Sequence, residues 1–458
     1  MSSAPVAAAA PRPPAHRLLG APILPTIARL AAPAIVLVAF QSAVSIADTL
    51  FVGRLGTASL AGLALVFPLL MLLQMMSAGA MGGGVSSAVA RALGAGEAHA
   101  ARALVAHALV IGLAMGLFFT VLLLALGAPL YRLLGGQGEA LAHALAYSDV
   151  LFSGAVLVWL ANTLASVLRG SGNTLAPSLA LIAGAVLHVP LSYALVLGRG
   201  GLPQLGIAGA AVAYVCAFGF AAAVMAAWVW RSALRPARED LRLEARRFAD
   251  ILRVGAISSV SALQTVLTAV ILTGFVGRFG TAALAGYGVG VRLELLQVPL
   301  VFAIGQAMVP MVGTHVGAGM ADRAKAIAWT GAAITGAISL AIGLAVTLYP
   351  AAWVGLFSQD PAVIQAGSAY LRTVGPFYVF LALALSLYFA SQGAGQVLRP
   401  VLAGSVRLVV VVGGAIVVLT SGGGLSDLFV VIALGLAVYG ALTAYAVRHA
   451  DWTRRAQR

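Results

Sequence analysis

Apolar stretches long enough to cross a lipid bilayer recur along almost the whole chain. A helix rises about 1.5 Å per residue, so about 20 apolar residues span a hydrocarbon core about 30 Å thick. Twelve such stretches lie at residues 27–52, 57–82, 100–127, 141–168, 175–197, 206–230, 250–276, 282–308, 324–350, 363–390, 397–420 and 427–447. Only helices and closed barrels satisfy the backbone hydrogen bonds of a membrane-spanning chain, and the sequence lacks the alternating pattern of barrel strands. We therefore predict an all-α polytopic membrane protein with twelve transmembrane helices.

Composition and charge placement agree with a membrane protein and predict its orientation. Of the 458 residues, 61% are hydrophobic and 9% are charged, whereas soluble proteins carry about 25% charged residues. The net charge of +14 does not indicate nucleic-acid binding, because the basic residues lie at span ends and in loops without interleaved aromatic residues. Most of the 27 lysine and arginine residues fall on one side of the membrane when the N-terminus is cytoplasmic. We expect a multi-pass protein of the plasma (inner) membrane with both termini in the cytoplasm.

The two halves of the sequence repeat each other. GRLGTASLAG at 53–62 returns as GRFGTAALAG at 277–286, and LGAGEAHAARA at 93–103 returns as VGAGMADRAKA at 316–326. Each half holds an even number of spans, so the copies share one orientation, and an axis along the membrane normal should relate them. We predict two pseudo-symmetric six-helix lobes that face a central cavity.

The densest run of charged residues lies between these halves and predicts a partly helical cytoplasmic linker. A basic amphipathic segment also suits a regulatory partner or lipid headgroups. The predicted units are a disordered cytoplasmic N-terminal tail, an N-lobe, the inter-lobe linker, a C-lobe and a cytoplasmic C-terminal tail, at residues 1–24, 25–230, 231–249, 250–448 and 449–458. The single cysteine, Cys216, allows neither a disulfide nor a metal site built from thiols.

One carboxylate, Asp48, lies inside the otherwise uncharged first span. Placing an acid there costs about 3 kcal/mol even on a lenient insertion scale, so it indicates a functional site; hydration near the outer end of the helix is the alternative. His188 lies roughly 20 Å into the fifth span, and Asp48 lies roughly 8 Å below the outer end of the first. These depths nearly coincide in a core about 30 Å thick, so the pair is expected to share and exchange a proton. The alternative is that His188 is a neutral core histidine bonded to a carbonyl.

Other polar residues in the spans are weaker candidates for binding ions or substrate. Glu294 lies in the middle of the eighth span, two residues after Arg292, and suits either a proton or substrate role or a buried ion pair. Asp149 and Arg372 occupy equivalent repeat positions near the outer ends of two spans and are candidates for an outer latch. Candidates for lining a substrate cavity, with helix packing as the alternative, are Gln41, Ser45, Gln74, Ser192, Gln264, Arg292, Tyr287 and Met71.

Missing motifs exclude two other classes within this chain. The only lysine, Lys325, follows an alanine, so there is no GxxxxGK(S/T) loop and no ATP-driven pump of that type. HExxH and GxSxG are also absent. We expect no enzyme activity, no cofactor and no metal site.

Three features together resemble the MATE family of multidrug and toxic compound extrusion transporters. They are the first-span segment PAIVLVAFQSAVSIADTLFVGRLGTASLAG, the GAG turns after the second and eighth spans, and the segment LRGSGNTLAP. The resemblance covers about residues 25–448 and implies a V-shaped pair of six-helix lobes. It also implies efflux of amphipathic, often cationic compounds in exchange for protons or sodium ions; a lipid-linked precursor or polysaccharide flippase of related fold is the alternative. We expect a monomer whose partners are organic cations, other amphipathic drugs and membrane lipids.

The first span is similar to that of the DinF-like branch of this family, which implies that Asp48 is the cation-coupling acid. Pro33 matches a first-helix proline that the branch associates with bending, although a proline near a helix end is also a start signal. Relatives often carry an asparagine and an aspartate where this chain has His188 and Ser192, and other branches have a glutamate where it has Gln264. A hard cation takes several oxygen ligands, whereas proton coupling needs one titratable group. The sequence therefore favours protons, with sodium ions as the less favoured coupling ion.

Overall fold

Long helices make up almost all of the structure, a computed structural model that describes residues 18–453. The helices of the first half are α1 (Ile23–Gly53), α2 (Thr57–Gln74), α3 (Gly82–Gly94), α4 (Ala98–Leu133), α5 (Gly138–Ser153), α6 (Ala155–Gly170), α7 (Leu175–Leu197) and α8 (Ile207–Trp230). Those of the second half are α9 (Ala245–Gly277), α10 (Thr281–Gly317), α11 (Ala321–Leu348), α12 (Pro350–Val354), α13 (Pro361–Val374), α14 (Tyr378–Gly393), α15 (Leu398–Thr420) and α16 (Leu425–Arg448). A π-helical turn, Met75–Met81, joins α2 to α3, and 3-10 turns lie at Arg238–Leu241 and Gly375–Phe377. Residues 18–453 contain no strand, and the predicted all-α fold class is confirmed.

The number of membrane-spanning helices agrees with the prediction. Eleven spans in the described residues are long and apolar enough to cross a bilayer, and the pair of α5 and α6, bent by 49°, brings the number to as many as twelve. The second span continues to Gly94 rather than ending near residue 82, because α3 is a run of mostly small residues that is buried between other helices. The eighth span likewise ends at Gly317, beyond the predicted limit of 308.

Helices α3 and α10 cross in a way that reflects the sequence repeat. A Cβ atom added to Gly94 would lie 2.1 Å from the carbonyl oxygen of Thr314, and one added to Gly317 would lie 2.1 Å from the carbonyl oxygen of Arg91. Gly94 and Gly317 are equivalent in the repeat, and so are Arg91 and Thr314. The contacts are therefore reciprocal, as at a two-fold axis, and glycine allows the two backbones to touch.

The two halves also bond to each other around this crossing. Ser87 Oγ donates to the backbone carbonyl of Gln392 at 2.5 Å, and the Arg91 guanidinium pairs with Asp250 at 2.8 Å. The linker lies on the same side, since Arg102 at the start of α4 bonds to the linker residue Asp240. We call this side, formed by residues 95–97, 231–244 and 318–320, the linker face. The lobes are closed against each other there.

Helix α1 packs against both halves of the chain. Its first turns place Ile27 and Leu30 in a buried cluster with Ile304 and Met311 of α10, whereas its last turns bond to α7. Pro33 lies inside the helix between these two regions. The first span thus connects the two lobes instead of belonging wholly to the predicted N-lobe.

The predicted tails fall largely outside the described residues, which exclude 1–17 and 454–458. Within the described part of the C-terminal tail, Trp452 is 1% exposed and packs in one cluster with Leu18 and Val447. The described part of the predicted cytoplasmic tail is therefore anchored to the helices through this indole, and its position on the cytoplasmic side stays a prediction.

Candidate functional site

Asp48, His188 and Ser192 form one buried hydrogen-bonded group between α1 and α7. His188 Nε2 lies 2.9 Å from both carboxylate oxygens of Asp48, and Ser192 Oγ donates to Asp48 Oδ1 at 2.6 Å. Asp48 is 8% exposed, while the other two side chains are 1% exposed or less. His188 and Ser192 are four residues apart and so share one face of α7, which is why both reach the same carboxylate.

This geometry gives the group a specific proton chemistry. A neutral histidine with its proton on Nε2 donates to an ionised Asp48, and the tautomer is inferred from that contact. A second proton converts the pair to an imidazolium with a carboxylate or to a neutral imidazole with a carboxylic acid. The site can therefore take up and release one proton, and after release the hydrogen bonds from His188 and Ser192 stabilise the negative charge of Asp48 inside the bilayer.

A second set of polar side chains extends from this group into the centre of the first lobe. The Tyr214 ring of α8 stands edge-on to the His188 ring, with 6.2 Å between centroids. Gln74 Nε2 donates to the Tyr214 hydroxyl, and Asn162 Nδ2 of α6 donates to Gln74 Oε1 at 3.0 Å and to Ser77 Oγ at 2.8 Å. Asn162 and Ser77 are 4% and 1% exposed. The structure thus places the predicted cavity residue Gln74 in a buried network.

The sequence indicates Asn162 as an uncharged polar residue able to orient a substrate or to bond across helices, but it does not single out Tyr214. Each is one polar residue in a different apolar span, and span edges do not show which helix faces meet. Their pairing required the three-dimensional packing of α2, α6 and α8.

The predicted cavity residues of α1 line its exposed side. Gln41 and Ser45 are both exposed, within a segment of α1 where only Leu37 and Asp48 are buried. Met71 on α2 is 43% exposed. These side chains are accessible, either to a cavity or to lipid.

Glu294 lies in a separate polar cluster of the second lobe. The Tyr370 hydroxyl donates to Glu294 Oε1, and the Tyr287 and Tyr370 rings meet edge-on at 5.3 Å. Arg407 of α15 is near enough to act on Glu294 electrostatically, and its guanidinium stacks over Tyr439. Tyr370 is the repeat equivalent of Tyr147, which lies near Asp48. Each lobe therefore places one acid near the same repeat position, although the acids come from different helices.

Two predicted charge pairs, Arg292 with Glu294 and Asp149 with Arg372, are not formed in this structure. Arg292 is exposed and lies over the Phe357 ring, 5.2 Å from its centroid, so it makes no ion pair with Glu294. Asp149 and Arg372 are both exposed and unpaired with each other, and the outer latch stays a prediction for a conformation closed on that side. The C-lobe residue Gln264 donates to Ser405 at 2.6 Å and joins α9 to α15.

A charged cluster fixes the linker to the first lobe outside the membrane. Asp240 is fully buried and accepts from the Ala237 backbone and from Arg102 Nε at 2.9 Å. Burial acts to raise the pKa of the Asp240 carboxyl, but these hydrogen bonds and the nearby Arg102 charge outweigh it and hold the pKa below its usual range. His99 and Glu239 lie close enough to join Asp240 around a metal ion, but Arg102 already neutralises this acidic group.

Comparison with known proteins identifies the family. The family model MatE matches residues 33–194 and 257–417, one segment in each half. The chain is 25% identical over 383 residues to the probable multidrug resistance protein NorM of Thermotoga maritima, covering 82% of this chain and 81% of that one. It is also 25% identical over 378 residues to the FAD transporter of Shewanella oneidensis, covering 81% and 83%.

The fold agrees with solved structures of the same family. A crystal structure of MATE in the bent conformation superposes with a TM-score of 0.87 at 25% identity, and the match covers 95% of this chain and 96% of that chain. The helical lobes, the repeat and the two matched segments point to one conclusion. The chain is a multi-pass membrane protein that belongs to the MatE family of multidrug transporters, and it is not an enzyme.

Proposed function

We propose that this chain exports amphipathic, often cationic compounds in exchange for protons, and that the pair of Asp48 and His188 carries the coupling proton. The observation that supports this most is the contact of His188 Nε2 with both oxygens of a buried carboxylate. The concentration of basic residues in the linker supports an orientation with both termini in the cytoplasm, and we propose that the chain lies in the plasma (inner) membrane. The first-span pattern favours the DinF-like branch.

The ligands around Asp48 favour a proton over a sodium ion. A hard cation prefers about six oxygen ligands, whereas a nitrogen and one hydroxyl already occupy the carboxylate here. The positions that supply an amide and a second carboxylate in relatives hold His188 and Ser192. A proton needs only the pair itself.

Coupling then follows from competition between the proton and the substrate. An ionised Asp48 favours a cationic substrate in the same lobe, and a proton that enters from outside removes this negative charge and promotes substrate release. A tenfold loss of substrate affinity corresponds to about 1.4 kcal/mol. Because a ligand shifts a conformational equilibrium only through its different affinities for the two states, the protonated and substrate-loaded forms are the ones that change conformation.

Glu294 is our candidate for a second group that binds the substrate or a proton. It is partly accessible, and Tyr370 and Tyr287 surround it with phenolic and aromatic groups that suit an organic cation. Arg407 limits the net negative charge of this cluster.

Transport in proteoliposomes tests the proposal. An outward-directed substrate flux should follow an imposed proton gradient and should not follow a sodium gradient. Asp48→Asn should abolish gradient-driven transport, and Glu139→Gln is the control, since that carboxylate lies in the same lobe but is exposed and outside the site. Transport driven by sodium alone, or full activity of Asp48→Asn, would contradict the proposal.

A further inference from the structure

The π-helical turn Met75–Met81 lies between the proton site and the contact that closes the linker face. On one side it adjoins the polar network of the first lobe, because Gln74 precedes the turn and Ser77 lies inside it, and Asn162 donates to both. On the other side its carbonyl at Gly79 accepts from Gln392 Nε2 of the second lobe at 3.1 Å. The π-helical turn therefore contacts both the polar network beside the proton site and the Gln392 side chain of the second lobe.

Gln392 connects the two lobes through its side chain. It is fully buried, and its Nε2 also donates to Ser258 of α9 at 3.1 Å. A Cβ atom on Gly83, two residues beyond the turn, would lie 2.1 Å from the Gln392 amide. The glutamine thus fits against a position that only glycine allows, and its bond to Gly79 joins the two lobes in this conformation with the linker face closed.

We infer that the π-helical turn is a positioning element of the transport cycle, which transmits the protonation state of Asp48 to the closed linker face through Tyr214, Gln74 and Asn162. This rests on the proposed proton coupling. A π-turn holds one residue more than an α-turn, and its conversion to α-helix rotates the following backbone by about 100°. Such a change turns the Gly79 carbonyl away from Gln392.

The groups that face Asp48 explain how the signal starts. His188 and Ser192 bond to it from α7, and the phenols of Tyr147 and Tyr214 approach it from α5 and α8. Protonation of the Asp48 carboxylate, the carboxylic-acid form of the pair, removes its negative charge and weakens its charge-assisted bonds to His188 and Ser192. The His188 ring is then free to shift against Tyr214, whose hydroxyl accepts from Gln74.

Substitution of Asn162 distinguishes a signalling role of the π-helical turn from a role in helix packing alone. Its amide donates one hydrogen to Gln74 before the turn and one to Ser77 inside it. Asn162→Leu removes both bonds at similar volume. Thr163→Val is the matched control, because Thr163 has the same 4% exposure on the same helix but packs against Gly112.

Spin-label distances between the lobes provide the test. Labels at Glu97 and Met320, exposed and equivalent residues of the two GAG turns, report opening of the linker face in full-length protein in nanodiscs. The exposed Cys216 is first replaced by serine. A tenfold difference in proton affinity between the closed and open states gives about a tenfold change in their ratio between low and high pH.

The parent and the Thr163→Val variant should show this tenfold change with pH, whereas Asn162→Leu should lose it while keeping substrate-induced proton release. Tyr214→Phe removes one hydroxyl and should also reduce the change with pH. This variant tests the same connection if Asn162→Leu fails to fold. If both variants keep the parental pH response, the inference is wrong although the proposed function stands. If the parent shows no pH response, or Asp48→Asn keeps it, the proposed proton coupling itself fails.

Discussion

A methyl group at Gly94 should force the linker face open. The added Cβ would lie 2.1 Å from the Thr314 carbonyl oxygen and 2.8 Å from its carbonyl carbon. Real Cβ contacts are not found below 3.0 Å, so these backbones must separate by about 1 Å at their crossing. Overpacking of this kind destabilises a structure by about 1–3 kcal/mol. Here the destabilisation applies only to the conformation in which the linker face is closed.

The expected result is a shift of the conformational ratio toward the open linker face by about 5- to 150-fold in Gly94→Ala. Gly317→Ala should act alike, because its Cβ meets the Arg91 carbonyl at the same 2.1 Å. The double variant should shift the ratio by less than the product of the single effects, since one separation of the helices relieves both clashes.

The same spin-label pair at Glu97 and Met320 measures this ratio. Gly413→Ala is the control, because no atom lies within 4 Å of its added Cβ and it tests the general effect of alanine in a helix. Unchanged distances in Gly94→Ala and Gly317→Ala would refute the reasoning that this crossing holds the linker face closed.

Three further outcomes are expected from other parts of the structure. Asp240→Asn removes the buried carboxylate that pairs with Arg102 at 2.9 Å and should make the linker more sensitive to limited proteolysis. In the parent this protection should be present above about pH 4 and be lost only as the pH falls below the lowered pKa of Asp240; equal proteolysis of both proteins at pH 7 would contradict it. Trp452→Ala should lower the free energy of unfolding by about 3–5 kcal/mol, since the indole is 1% exposed. An unchanged melting temperature in detergent would show that the indole is not part of the core. Glu294→Gln should weaken binding of a cationic substrate by about tenfold while Tyr370→Phe has a smaller effect, as measured by fluorescence titration; equal binding by Glu294→Gln would exclude this acid from substrate recognition.

The sequence was sufficient for the fold and for the centre of the candidate site. Span length and hydropathy predict twelve helices, and depth along two parallel spans predicts that Asp48 and His188 meet. This works because helix rise is constant and the bilayer fixes a common reference plane. Ser192 was predicted only as a cavity residue, and its bond to Asp48 is a finding of the structure.

Features that depend on which helix faces meet could not be predicted. Tyr214 and Asn162 join the site only through the packing of α6 and α8 on α2, and apolar residues on every face leave no periodicity to indicate it. The π-helical turn follows no simple sequence rule, and the role of Gln392 depends on contact between the two lobes. The packing of Ile27 and Leu30 against the second lobe likewise results from long-range contacts that hydropathy does not report.

Substrate-induced proton release tests the central claim most directly. Purified protein in weakly buffered detergent is mixed with a cationic substrate at pH 7, with and without sodium, and the pH is followed. The account predicts that the parent releases protons independently of sodium, and that Asp48→Asn releases none while Glu139→Gln releases as much as the parent. Undiminished release from Asp48→Asn, or substrate binding that requires sodium and releases no proton, would contradict it.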